Sequence, residues 1–217
     1  MRRVTFSELT LETLRTLAQL TECGISDEPW TSLQMPLTET ERIRLAQLIE
    51  PLQNYSIQLV NEATAWARAI YPLLMLAEQG NIRAWAEVAV RGEFTHFTLE
   101  GIVDGALARG PSGEAEAPYF VVLEAKRSIE AKSPVPQLYG QLLAAARASK
   151  SEEMFGCYTI GDTWTFAHAT VTDLGAERPQ LTITLSQELT ERTAAETILS
   201  ILKGIIARGI LSKQNRY

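Results

Sequence analysis

The sequence predicts an α/β protein in the order helices, three strands, a helix, two or three strands and a closing helix. Three observations carry that reading. Apolar residues recur three and four apart before Gly80 and again after Glu191, the period of one buried helix face. Between them lie β-type runs such as "HFTLEGIVDGALAR" and "YFVVLEAK", separated by "GPSGEAEAP", a turn-rich break between strands. A single helical stretch, "SPVPQLYGQLLAAARASK", then splits the strands into two groups, which is not the regular alternation of a doubly wound parallel fold.

The elements follow in order. "FSELTLETLRTLAQLTE" places Leu9, Leu14, Leu17 and Leu20 on one helical stripe behind a candidate cap at Ser7. "GISDEPWTSLQMP" carries Gly24, Pro29 and Pro36 and reads as a loop. "TETERIRLAQLIEPL" sets Thr38 three residues before Glu41, a capping-box spacing, and meets its stop at Pro51. Residues 1–53 are thus expected to form a helical extension, with the main domain over 54–217. That domain opens with "YSIQLVNEATAWARAIYPLLMLAEQG", where Leu59, Ala63, Trp66, Ile70 and Leu73 share a face, Pro72 kinks or splits the helix and Gly80 ends it. Strands follow in "RAWAEVAV", "HFTLEGIVDGALAR" and "YFVVLEAK". After the Pro-led helix come a hairpin around Gly161-Asp162, a strand in "RPQLTITLSQ" and a helix in "ERTAAETILSILKGIIARGIL".

A chain of 217 residues, 46% hydrophobic and 21% charged, is long enough to bury a core and too apolar for global disorder. Its apolar runs fall short of the ~20 residues that span a bilayer, and no apolar run follows the first arginines, so neither a membrane span nor a secretory signal is expected. Two cysteines in no metal-type pair fit a reducing cytoplasm. The net charge of −6 argues against a simple basic nucleic-acid coat. Yet Glu124 to Lys150 holds five basic residues against two acidic, and the last 17 residues carry four bases and no acid. Local basic zones can still hold a polyanion.

The chemistry concentrates at the end of "YFVVLEAK". A buried strand that finishes in Glu124 and Lys126 must compensate those charges with a partner, a metal or hydrogen bonds. A symmetric hairpin centred on Glu114 places Asp104 opposite Glu124 and Ile102 opposite Lys126, so that Asp104, Glu124 and Lys126 project from one face. Facing carboxylates repel unless a proton or cation separates them. A hard divalent ion would do so, held by both acids, by a backbone carbonyl such as that of Ala125 and by water. Such a centre suits phosphodiester hydrolysis, with Lys126 orienting water or stabilising the transition state.

"GIVDGAL", then "VLEAK" 20 residues on, then the glutamine-bearing helix "PQLYGQLLAA", resembles the PD-(D/E)XK nuclease superfamily over roughly residues 55 to 170. The resemblance implies a restriction-endonuclease-like mixed sheet flanked by helices and a Mg²⁺- or Mn²⁺-dependent nuclease acting on nucleic acid, foremost DNA. It casts Asp104 and Glu124 as the motif acids, Lys126 as its lysine, Glu62 as the extra acid on the preceding helix, and Gln137 as the glutamine after the motif, with Gln141 an equal candidate. Val103 stands where the naming proline would be. The alternative is a nuclease-like fold kept as a non-catalytic nucleic-acid-binding or assembly subunit, and the N-terminal helices are a candidate docking arm for a partner or second copy.

Other signals have plainer readings. Glu100 is a supporting residue or an exposed strand end. Arg127, Lys132 and Arg147 are candidate phosphate contacts, read first as a solvated charged face. His96 and His168 are structural, and no serine elbow or phosphate-binding glycine loop is present. Trp66, Trp85, Phe94 and Phe97 belong to the core, whereas Trp164, near a hairpin tip, is placed to stack a base.

Overall fold

The computed structural model describes residues 2–54, 57, 60–111, 113–126 and 133–214. Its first departure from expectation is at the N-terminus, which is part helix and part sheet. Strand β1 (Arg2–Thr5) leads through a short 3₁₀ turn into helix α1 (Leu11–Leu17), capped by Thr10, whose hydroxyl accepts the Thr13 N–H at 3.0 Å; Ser7 is not the cap. The chain then enters β2 (Gln19–Ile25), where the leucine stripe had suggested more helix. Helix α2 (Glu28–Leu33) occupies the stretch read as a loop, and α3 (Glu39–Ile49) carries the expected capping box between Thr38 and Glu41. Val4, Phe6, Leu9, Leu14, Trp30, Leu33 and Leu45 are all buried. Residues 2–53 are therefore built into the core and do not stand clear of it as a helical arm.

Glu62–Ala65 forms α4, and Tyr71–Leu76 forms α5, joined by a π turn over Trp66–Ile70. Pro72 does not split this segment, but the π turn just before it is the kind of distortion expected at that proline. The wider turn lets the Tyr71 N–H reach back to the Trp66 carbonyl and loosens the ladder just where the proline lacks a donor. Leu59, expected on the same stripe, lies outside the described residues.

The strands of the hairpin region follow: β3 (Ile82–Glu93), β4 (Phe97–Arg109) and β5 (Glu116–Lys126), all antiparallel. Helix α6 (Val135–Ser149) crosses to β6 (Glu153–Ile160), which therefore runs parallel to β5. Then come β7 (Thr163–Thr172), β8 (Gln180–Leu185), the short β9 (Leu189–Thr190) and α7 (Glu191–Gln214). Among the described residues these nine strands make one mixed sheet, ordered β1-β4-β5-β6-β7-β8-β2, with β3 on β4 and β9 on β7. The N-terminal strands both join it in parallel, β1 to β4 and β2 to β8.

Two apolar clusters sandwich the sheet. Val121 and Leu123 of β5 pack with α2, α5 and α7 through Trp30, Leu73, Leu199 and Leu202. Val122, between them, packs the other way with α1 and α6 through Leu14, Leu138 and Leu142, as alternation along a strand requires. Each fully buried leucine contributes about 1.5–3 kcal/mol. Helix α6 presses closely enough that a Cβ on Gly140 would overlap Leu9. Its burial brings a polar residue, Gln141, into the core beside the end of β5.

Candidate active site

The symmetric hairpin register is the one the sheet adopts beside the site: Gly105 pairs with Leu123, Ala106 with Val122 and Leu107 with Val121. Toward the turn it slips, to Ala108 with Tyr119 and Arg109 with Glu116. Past Gly105 the ladder stops, and Lys126 pairs with Ile160 of β6 rather than with Ile102. At that opening the Ala125 N–H donates to Asp104 Oδ2 at 2.6 Å. The carbonyl of the same residue leaves an extended strand on the same side as its N–H, toward β4.

Glu124 is 2% exposed, and α6 accounts for its orientation. Gln141 Nε2 donates to Glu124 Oε2 at 2.5 Å, while Lys126 Nζ lies 2.6 Å from Oε1. Gln141, fully buried, is thus the glutamine that meets Glu124; Gln137, one turn earlier, is only partly buried. Asp104 instead lines an open cleft of about 370 Å³ together with Glu62, Ala63, Trp66, Glu87 and Ala125. The expected single face is therefore not what these contacts show: Glu124 is held on the α6 side together with Lys126, whereas Asp104 faces the α4 side and meets β5 through the Ala125 N–H.

Their charges nonetheless act on one another. Burial and the neighbouring Glu124 charge lift Asp104 to about 6, against the relief given by the Ala125 N–H and Lys126, and Glu62 adds to the lift. For Lys126, burial pulls the pKa down, but the bond to Glu124 and the negative charges of Glu124, Asp104 and Glu62 outweigh it and leave it raised. Lys126 is therefore a fixed cation near neutral pH, a donor of positive charge and not a base. Glu62, the first residue of α4, is exposed and reaches the site by its field and by lining the cleft.

One cleft residue has no signal in the sequence. Glu87 lies in β3 between the pairs Ala86–Gly105 and Val88–Val103, across from Asp104, with a left-handed φ of 52°. Its setting in "RAWAEVAV" reads as an ordinary strand position.

Other expectations move. Trp164 is fully buried, packed 6.2 Å from Phe166, and cannot stack a base from the surface. Glu100 is ion-paired with Arg3 and with Arg91 and supports the β1–β4 junction. Arg147 donates to the Glu93 carbonyl at 2.6 Å and lies over the Phe94 ring, while Arg127 and Lys132 lie outside the described residues. His168 bonds Glu153, which Arg208 also grips, a structural cluster.

Asp104 offers carboxylate oxygen to the cleft, a ligand type that suits a hard cation, whereas both Glu124 oxygens are engaged by Gln141 and Lys126. Asp104's pKa is raised first by burial and then by the Glu124 charge, so its anion is disfavoured in the unliganded chain. Among the described residues, no group of three or more His, Cys, Asp or Glu side chains is close enough to bind a metal unaided, so main-chain and non-protein oxygens would have to complete the shell. Among the described residues, no helix is long and apolar enough to cross a membrane. No protein-family model matches the chain, and no curated protein matches it significantly.

Proposed function

We propose that this chain is a divalent-metal-dependent nuclease of the PD-(D/E)XK type, with a restriction-endonuclease-like core, that hydrolyses phosphodiester bonds, foremost in DNA. The observation that carries the reading is the coupling of Asp104, Glu124 and a protonated Lys126 at one strand end. Asp104, Glu124 and the Ala125 carbonyl would hold Mg²⁺ or Mn²⁺, with Glu62 at the cleft wall. When bound, such an ion supplies Lewis-acid polarisation of the phosphoryl group and neutralises charge on the leaving oxygen. The chain's own groups do the rest. Lys126 presents a fixed positive charge to the oxygens that gain charge in the transition state. Gln141 holds the Glu124 carboxylate in one rotamer, and the Ala125 N–H does the same for Asp104.

A second reading, a nuclease-like fold kept for nucleic-acid binding or assembly, is favoured by two features. Both Glu124 oxygens already have partners, and the chain is acidic overall. Cleavage separates the two. Purified chain is incubated with single- and double-stranded DNA and with RNA in Mg²⁺ or Mn²⁺. The nuclease reading expects turnover that falls about 10²–10³-fold or more in Lys126→Ala. Equal cleavage by wild type and Lys126→Ala marks a contaminant and sinks the assignment. Tight binding with no cleavage supports the second reading.

A further inference from the structure

Glu191, the first residue of α7, is a buried acid for which the proposed chemistry has no use. It is 0% exposed, and neither carboxyl oxygen has a hydrogen-bond partner among the described residues. The charged groups that act on it are Asp162 in the β6–β7 turn and Arg192 beside it. Burial, reinforced by Asp162 and opposed by Arg192, lifts Glu191 to about 8, so the folded chain holds it mainly as the neutral acid.

Its position gives that proton a mechanical consequence. The Glu191 N–H donates to the Asp162 carbonyl at 2.8 Å, and Arg192 Nε lies 2.9 Å from Asp162 Oδ2. The adjacent Gly161 N–H donates to the Lys126 carbonyl at 2.9 Å. The two-residue turn is thus held from one side by the start of α7, and it holds the end of β5 on the other. Three residues further on, Ala194 leaves helical geometry (φ −128°, ψ 19°), setting the first turn of α7 apart from the rest of the helix.

We infer that Glu191 is a positioning residue: its neutral form seats the first turn of α7 on the β6–β7 turn, which supports Lys126, and loss of the proton releases that support. The link to catalysis rests on the nuclease reading; the link to the turn does not. A carboxylate left without partners in that setting is strongly disfavoured. The folded chain keeps a proton that the unfolded chain sheds above about 4.3. Stability from this group is therefore complete below that value, declines as pH rises toward about 8, and is lost above it.

The test compares wild type with Glu191→Gln, by urea unfolding from about pH 5 to about pH 9 and by amide exchange corrected for intrinsic rate. The expected result is similar stability near pH 5 and a growing advantage for Glu191→Gln toward pH 9. The corrected exchange of the Gly161 and Glu191 amides rises about tenfold across that range in wild type alone. Parallel stability curves with equal corrected exchange overturn the inference. If Glu191→Gln does not fold, a carboxyl ¹³C titration of wild type decides: a Glu191 midpoint near 8 supports it, and an ordinary carboxylate midpoint overturns it. Cleavage followed over the same range should lose its alkaline decline in Glu191→Gln. A chain that hydrolyses nothing yet shows the exchange difference refutes the nuclease and keeps the latch. A chain that cleaves DNA with parallel curves refutes the latch alone.

Discussion

Gln141 and Glu124 form a fully buried pair, amide nitrogen to carboxylate oxygen at 2.5 Å, on the side of Glu124 opposite Lys126. A carboxylate buried in this way needs partners for its lone pairs. Removing the amide leaves Glu124 underpaired and free to change rotamer. Gln141→Leu is expected to cut cleavage about 10–100-fold, as loss of a supporting partner does, and to cost about 1–3 kcal/mol of stability. Gln137→Leu should change neither by as much. Kinetics and urea unfolding of the two variants check this; a larger loss in Gln137→Leu would move the supporting role one turn back.

Asp104 gives a pH prediction with a definite sign. Its folded pKa of about 6 lies above its ordinary value because burial and the charge of Glu124 disfavour the anion. The stability tied to its proton is present below about pH 3.9 and is lost as pH rises to about 6. Asp104→Asn should therefore be more stable than wild type near neutral pH, by on the order of 1–2 kcal/mol, and inactive. Wild-type cleavage should climb through an acid limb near pH 6, shifted lower when the ion is saturating. Chemical unfolding at neutral pH and a pH–rate profile measure both halves. A destabilised Asp104→Asn would show that the carboxylate is already well compensated.

Helix α7 and the N-terminal segment make a third point of test. A Cβ on Gly204 would overlap the Leu33 carbonyl oxygen at the end of α2. Since backbone cannot swing aside as a side chain can, Gly204→Ala should destabilise the whole chain by about 1–3 kcal/mol, with one cooperative transition. A variant as stable as wild type would mean that α2 sits loosely on α7.

How much of this was legible varies with the physics of each element. The β4–β5 hairpin shows in the sequence because two long apolar runs flank a Gly/Pro-rich turn, and its register near Gly105 follows from simple symmetry. Strand β2 does not show: six of its seven residues are exposed, so no buried alternation marks it, and Leu20 continues the helical spacing of Leu14 and Leu17 by coincidence. The neighbours Gln137 and Gln141 lie one turn apart and point alike, and only packing decides which of them is buried. Glu87 enters the cleft through a left-handed backbone turn that no local sequence feature signals. Trp164 looks like a surface residue from its place near a turn, yet it is fully buried, pairs with Leu189 of β9 and shares the apolar cluster that α7 lines.

Titration calorimetry reads whether Asp104 and Glu124 gather a divalent ion beside Lys126. Mn²⁺ is titrated into wild type, Asp104→Ala and Lys126→Ala at neutral pH. The expected result is saturable heat in wild type at millimolar ion or below, abolished in Asp104→Ala and retained in Lys126→Ala. No heat in wild type, or the same isotherm in wild type and Asp104→Ala, would contradict it.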